Sequence, residues 1–277
     1  VLTPRPKTNN PTPPSTTEED TTEDPTVTEN TTEDPTVTEF DDFIVKDADD
    51  ILDDVLDTQA GDDEINTRGG NDTVDAGAGN DIINLEDGDD IGIGGEGDDI
   101  ASGGNGDDLL FGNTGDDDLS GNDGDDFSAA GKGDDTASGG DGDDLLFGNI
   151  GNDLLTGDAG DDLLFGGQDK DTLEGGTGDD ILSGDLGNDV LTGGDGADTY
   201  LFRIGDGSDT ITDFNVSDDK IAVIDGGIFS FNTISTEALT ITSDGSNSTV
   251  SFNGEVLATV NGVTSLDASS FISFAGF

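Results

Sequence analysis

Aspartate recurs every nine residues from Asp63 to Asp198, sixteen times without a gap. A chain with such a lattice can bury apolar surface only by stacking short equivalent units on one another. Most copies read G-x-D-x-U, with U aliphatic or aromatic, as in Gly61-Asp62-Asp63-Glu64-Ile65 and Gly142-Asp143-Asp144-Leu145-Leu146. The leading glycine is Gly61, Gly70, Gly79, Gly88, Gly97, Gly106, Gly115, Gly124, Gly133, Gly142, Gly151, Gly160, Gly178, Gly187 and Gly196, and it fails only at Asp169.

The glycines permit positive φ, so each nonapeptide reads as a six-residue turn followed by a three-residue x-U-x strand that points one side chain inward. Two nonapeptides complete a coil, and turns two copies apart then stack. Asp63, Asp81, Asp99, Asp117, Asp135, Asp153, Asp171 and Asp189 fall along one edge, and Asp72, Asp90, Asp108, Asp126, Asp144, Asp162, Asp180 and Asp198 along the other. One looser copy follows at Gly207-Ser208-Asp209-Thr210-Ile211, adding Asp209 to the ligand candidates.

Charge decides what such an array needs. The formal net charge is −58, with only eight Lys and Arg among 66 acidic residues, and apolar content is low. That balance alone would predict disorder, but disordered acidic tails do not space Gly, Asp and an aliphatic residue on a fixed lattice. Phosphate backbones are excluded as partners by sign. With no Cys and no His, thiolate and imidazole metal sites are also excluded. Carboxylates and turn carbonyls form an all-oxygen set suited to a hard cation, and flexible coordination favours calcium over magnesium. Ions wedged between consecutive turns could number about fourteen.

The lattice resembles the RTX (repeats-in-toxin, haemolysin-type) calcium-binding nonapeptide family, with consensus G-G-x-G-x-D-x-U-x. The copies at residues 94–102, 103–111, 139–147 and 175–183 match it fully or almost fully. The resemblance implies an all-β fold, a right-handed parallel β-roll with two nonapeptides per coil. Residues 196–221, GADTYLFRIGDGSDTITDFNVSDDKI, resemble the segment that closes the roll in serralysin-like secreted proteins.

Residues 1–39 are rich in Thr, Pro and Glu, carry the duplication TTEDPTVTE, and read as a disordered linker; an O-glycosylated stalk has the same composition. Residues 40–57 read as an N-terminal cap, either an amphipathic helix through Phe40, Phe43, Ile44, Ile51, Leu52, Val55 and Leu56 or a degenerate first rung, with Val55 to Asp57 expected as strand. The roll spans 58–201. Residues 202–277 alternate apolar and polar between the turn signals Asp244-Gly245, Asn253-Gly254 and Asn261-Gly262, which predicts a small antiparallel β cap.

Departures from the consensus mark particular sites. Asp169 and Lys170 beside Asp171 predict weaker ion binding there, and Thr58, Thr67, Ala76, Leu85 and Ala130 replace the opening glycine. The inward residues Gly92, Ala101, Ser128 and Ala137 are small, so loose packing is expected. Asn113, Asn122, Asn149, Asp158 and Asp185 stand for the second glycine, a substitution these residue types tolerate. Outward apolar residues, among them Ile91, Leu109, Phe111, Phe127, Phe147, Phe165 and Ile181, share one sheet, and the other shows Asn84, Ser102, Ser120, Ser138, Thr156 and Thr192. The apolar sheet, centred on Phe111, Phe147 and Phe165, is a candidate docking surface for a missing domain, a second copy or a receptor.

Catalysis finds no constellation here: H-E-x-x-H and G-x-S-x-G are absent, so the chain reads as a non-enzyme, while a protease or lipase domain could precede it. Surface adhesion or carbohydrate binding is a further alternative, although Trp is absent and Tyr200 is the single Tyr. No apolar stretch is long enough to span a bilayer. Family resemblance implies a secreted, extracellular protein that folds on meeting calcium and leaves the cell through a type I secretion system. The acid-then-apolar end, residues 267–277, is a candidate export signal.

Overall fold

The computed structural model describes residues 26–27, 43–45, 55–224 and 239–272. Among them there is no α-helix; two sheets of 14 and 11 strands carry the chain, and a single 3-10 turn at Ala268–Ser270 is capped by Asp267. Successive nonapeptides alternate between the two sheets, so every strand of the roll hydrogen-bonds in parallel to the strand eighteen residues away: Leu119 pairs with Ala137, and Leu146 with Leu164. That offset of two nonapeptides per coil is the stacking the aspartate lattice predicts.

From Thr73 to Asp195 the strands are longer than three residues. Leu109–Thr114 and Leu145–Ile150 run six residues each, from the x-U-x segment through the next three positions. The register passes over the first residue of each nonapeptide: Phe111 pairs with Ala129 and Asn113 with Gly131, skipping Gly112 and Ala130. A bend at this point is sustained by positive φ at the second position, +76° at Asn113 and +73° at Asp158, the left-handed region that Asn and Asp tolerate best after glycine. Two residues per strand therefore face inward. The U position is buried, and so is the first position of the following repeat, as at Leu110 and Gly112.

The core between the sheets is a column of single side chains, with Ile65, Ile83, Leu110, Leu119, Leu146, Leu155, Leu164, Leu173, Leu182 and Leu191 exposed by 1 % or less. The loose packing expected at Gly92 is made good from its own nonapeptide and from the next coil: a Cβ there would lie 3.2 Å from Leu85 Cδ1 and 3.1 Å from Leu110 Cδ2. Leu85, in place of an opening glycine, thus supplies the volume that Gly92 lacks.

On the outer face of the 11-stranded sheet, rings meet from coil to coil, Phe111 to Phe127 at 5.6 Å and Phe127 to Phe147 at 5.7 Å with tilted planes, and Phe147 to Phe165 stacked at 5.1 Å. These rings cover one another and are only partly exposed. The other sheet is not wholly polar, since Ile82, Ile100, Leu154 and Val190 are exposed there.

At the N-terminal end, Phe43–Val45 is a strand, paired in parallel with Glu64–Asn66, and Val55–Asp57 pairs with Thr73–Ala78. These residues are strand and not helix; the rest of 40–54 lies outside the described residues. Thr26–Val27, expected as linker, pairs in parallel with Phe43–Val45.

The C-terminal strands fall almost where the alternation places them, at Lys220–Ile224, Leu239–Ser243, Ser248–Phe252, Glu255–Val260 and Phe271–Ile272. Their pairing differs from a separate antiparallel cap. Only Leu239–Ser243, Ser248–Phe252 and Glu255–Val260 form an antiparallel meander, turning at Asp244-Gly245 and Asn253-Gly254. Glu255–Val260, Lys220–Ile224 and Phe271–Ile272 join the roll's sheets in parallel. Asn261-Gly262 follows the last meander strand and closes no hairpin.

Because Leu164 is fully buried in the single-file core, Leu164→Ala should cost about 2–5 kcal/mol. Urea unfolding in saturating calcium checks this, and a loss well under 1 kcal/mol would mean that the column is not a packed core.

Candidate metal centre

The lattice aspartates point into the turns and are buried, Asp63 through Asp198 being exposed by 2 % or less. Each uses one carboxylate oxygen to tie coils together. Asp99 Oδ1 accepts the main-chain N–H of Asp81 at 2.9 Å, Asp117 that of Asp99 at 2.9 Å, and on the opposite edge Asp126 that of Asp108 at 2.7 Å and Asp144 that of Asp126 at 2.8 Å. The ladders run the length of both edges. Their last members are Asp209, accepting from Asp189 N–H at 3.1 Å, and Asp219, accepting from Asp198 N–H at 3.1 Å.

The second oxygen is the one left available in the turns. From Asp81 to Asp198 every lattice Oδ2 is buried and receives no hydrogen bond. Where the first residue of its nonapeptide is glycine, it faces that residue. A Cβ placed on Gly103, Gly112, Gly121, Gly148, Gly157 or Gly175 would overlap Oδ2 of Asp108, Asp117, Asp126, Asp153, Asp162 or Asp180 respectively. At Gly103 the same Cβ would stand 2.9 Å from the Gly121 carbonyl of the next coil, and at Gly148 2.6 Å from the Gly166 carbonyl. A carboxylate oxygen and a main-chain carbonyl oxygen thus converge over a position kept open by the absence of a side chain. Two electron-rich oxygens turned on one space, with no donor between them, fit a hard cation.

Among the described residues no three His, Cys, Asp or Glu side chains converge on one point. The site is therefore a carboxylate with main-chain carbonyls, repeated along each edge, rather than a carboxylate cluster.

Electrostatics agree with the geometry. Burial pushes the Asp108, Asp135, Asp144, Asp162 and Asp171 carboxyls up to about 7 and those of Asp81, Asp126, Asp153 and Asp180 up to about 6, with the N–H bond from the preceding coil partly opposing the rise. Neighbouring carboxylates add to it. Without a counter-charge, the folded turns hold these acids partly protonated at neutral pH.

The structure brings the lattice aspartates onto the two edges the spacing assigns them to, and it places the leading glycines where coils stack. The fourth-position glycines, Gly97 and Gly115 for example, abut the fourth-position carbonyls of the preceding coil, Gly79 and Gly97, and so permit close stacking. The first-position glycines, which line the Oδ2 space, are further candidates that the sequence reading did not name as ligands, although the consensus itself displays them. Asp219 was missed as well; its signal was the spacing Asp219-Lys220-Ile221, aspartate two residues before an inward aliphatic. Tyr200 also belongs at this end. Its buried hydroxyl accepts from Gly193 N–H at 2.9 Å and donates to Asp213 Oδ1 at 3.0 Å.

The departures at copy thirteen leave the backbone in place. Asp169 keeps a positive φ of +80°, and a cavity of about 340 Å³ opens beside it, lined by Gln168, Asp169, Lys170, Leu186, Gly187 and Asn188. Asp171 still accepts from Asp153 N–H and donates its own N–H to Asp189.

A second ladder, exposed and running the opposite way, lies one residue upstream. Asp98 Oδ1 accepts from Asp116 N–H at 3.0 Å, and Asp125 Oδ1 from Asp143 N–H at 2.9 Å. Inner carboxylates reach back one coil while outer ones reach forward.

The family model of the RTX calcium-binding nonapeptide repeat matches in overlapping copies that run without a break from residue 50 to residue 200. The chain belongs to this family. Its β-roll is accordingly a structural calcium-binding domain. Solved structures similar to this RTX roll include two subunits, R3 and R2, of the AlgE6 mannuronan C5-epimerase from Azotobacter vinelandii. R3 is 26 % identical, covers 52 % of this chain and 80 % of its own, and has a TM-score of 0.34; R2 is 27 % identical, covers 49 % and 90 %, and scores 0.21. The extracellular lipase LipA from Serratia marcescens is 20 % identical over 73 % of this chain and 45 % of its own, with a TM-score of 0.25. No curated protein matches.

The pKa shifts set the pH dependence of the metal-free roll. Folded carboxyls raised toward 6–7 bind more protons than unfolded ones at 3.8, so metal-free stability is greatest below the unfolded value and is lost as pH rises through the folded one. In chelator, β-type circular dichroism should therefore be stronger at about pH 5 than at about pH 7.5, and calcium should bind more weakly at the lower pH. A metal-free signal that grows with pH would contradict this.

Proposed function

We propose that this chain is a secreted folding module, kept expanded without calcium and driven into the roll by it, and that it serves as the C-terminal part of a larger exported protein. The observation that carries the reading is the row of buried Oδ2 atoms, which at Gly103, Gly112, Gly121, Gly148, Gly157 and Gly175 share an open glycine position with a carbonyl of the next coil. Bound calcium would supply positive charge at these points.

The chain's own residues do the rest. Position-six carboxylates and first-position carbonyls offer ligands from two successive coils, so occupancy of a gap joins those coils, and binding free energy becomes folding free energy. Lacking an ion, each gap presents a desolvated acid without a donor, repeated along two edges in a chain of net charge −58, and the thin core has little to set against it. Extracellular calcium modules bind at about 10⁻⁴–10⁻³ M. A roll in that range stays unfolded at resting cytosolic calcium and folds outside, which suits export of an unfolded chain. The family supports an extracellular location and type I export. Among the described residues no helix is long and apolar enough to cross a membrane.

Calcium titration followed by far-UV circular dichroism at pH 7.5 tests the switch. The expected result is a cooperative rise of β signal at about 10⁻⁴–10⁻³ M calcium, with magnesium ineffective at the same concentration. A chain already β-rich in excess chelator would overturn the reading.

A further inference from the structure

Not every gap in the roll is open. In most nonapeptides the first residue is glycine, but the first turn on each edge carries a threonine, Thr58 on one and Thr67 on the other, both fully buried. Thr58 Oγ1 donates to the Ala76 carbonyl at 2.8 Å and Thr67 Oγ1 to the Leu85 carbonyl at 2.9 Å, each reaching the equivalent residue of the next coil. Those are the same first-position carbonyls that, farther along at Gly121 and Gly166, face the open space over Gly103 and Gly148. The threonine main chain joins the same coil, with Thr58 N–H on Asp75 O at 3.0 Å and Thr67 N–H on Asn84 O at 3.1 Å.

We propose that the first gap on each edge, Asp63 to Asp81 and Asp72 to Asp90, is closed by a threonine hydroxyl in place of a calcium ion, so that the ion array starts one coil inside the N-terminal end of the roll. The inference rests on the calcium reading of the later gaps.

Two effects act together. The threonine Cβ and methyl fill the volume that glycine leaves empty, and the hydroxyl proton occupies the carbonyl lone pair that would otherwise face a cation. Calcium needs six or more oxygens in a flexible cage. A gap whose cradle holds carbon and whose carbonyl is already hydrogen-bonded cannot assemble one. Ala76, Leu85 and Ala130 also replace glycine, but they bring no donor, so the claim is confined to the two threonines. The opening coils are then joined by bonds that survive chelation, and the calcium-dependent coils begin beyond them.

Crystals of the full chain grown in calcium and measured for calcium anomalous difference density decide the point. Peaks are expected in the gaps lined by Gly103, Gly112 and Gly121, with none beside Thr58 or Thr67. Peaks in the threonine gaps as well would overturn this inference and leave the calcium reading standing. Peaks nowhere would overturn the calcium reading, and the inference with it. Two variants give an independent readout by equilibrium dialysis. Thr58→Gly with Thr67→Gly should bind about two more calcium ions per chain than the parent, and no gain would overturn the proposal. Thr58→Val with Thr67→Val should leave the ion count unchanged, whereas a lower count would show that the hydroxyls are ligands and overturn it too.

Discussion

A carboxylate oxygen buried without a donor is among the costliest groups a fold can carry, and this fold carries one in turn after turn. Asp99, Asp117, Asp135 and Asp153 spend Oδ1 on the neighbouring coil's N–H and leave Oδ2 in a dry turn. Burying an uncompensated charge costs several kcal/mol even after relaxation. Repeated along both edges, that cost weighs against a single-file column of leucines, and in the proposed reading the ion that neutralises the row offsets it.

The same requirement explains the glycines. At the glycines that occupy them, a first-position Cβ would overlap the carboxylate and a fourth-position Cβ the carbonyl of the coil before it, as at Gly103 and Gly97. Glycine therefore serves two separate ends, an open cradle at the first position and close coil stacking at the fourth. Where the first is given up, something else takes its place: hydroxyl bonds at Thr58 and Thr67, and core volume at Leu85 over Gly92. The end of the array shows a related economy, with Asp219 closing one carboxylate ladder and Tyr200 bridging Gly193 to Asp213.

Much of this was legible in the order of residues because the period is short and strict. Nine-residue spacing of Asp63 to Asp198 assigns each acid to an edge, and the aliphatic residue two positions on marks the core. The C-terminal strands were readable from alternation and from Asp244-Gly245 and Asn253-Gly254. What escaped depends on neighbours eighteen or more residues away, which no local pattern reports. The inward turn of the first position, the six-residue strands, and the parallel joining of Lys220–Ile224 and Glu255–Val260 to the roll all belong to that class. At Phe43–Val45 the apolar spacing suited a helix, and pairing with Glu64–Asn66 overrode it.

The central claim is that buried negative charge, and not poor packing, keeps the metal-free chain from closing. Its most direct test removes the charge and keeps the shape: Asp99, Asp108, Asp117, Asp126, Asp135, Asp144, Asp153 and Asp162 changed together to Asn. Each amide oxygen can still accept the coil-to-coil N–H, and each amide nitrogen can donate to the carbonyl beyond. Far-UV circular dichroism in excess chelator at pH 7.5 should then show a β-rich chain where the parent shows none. A variant that stays unfolded in chelator would contradict the account.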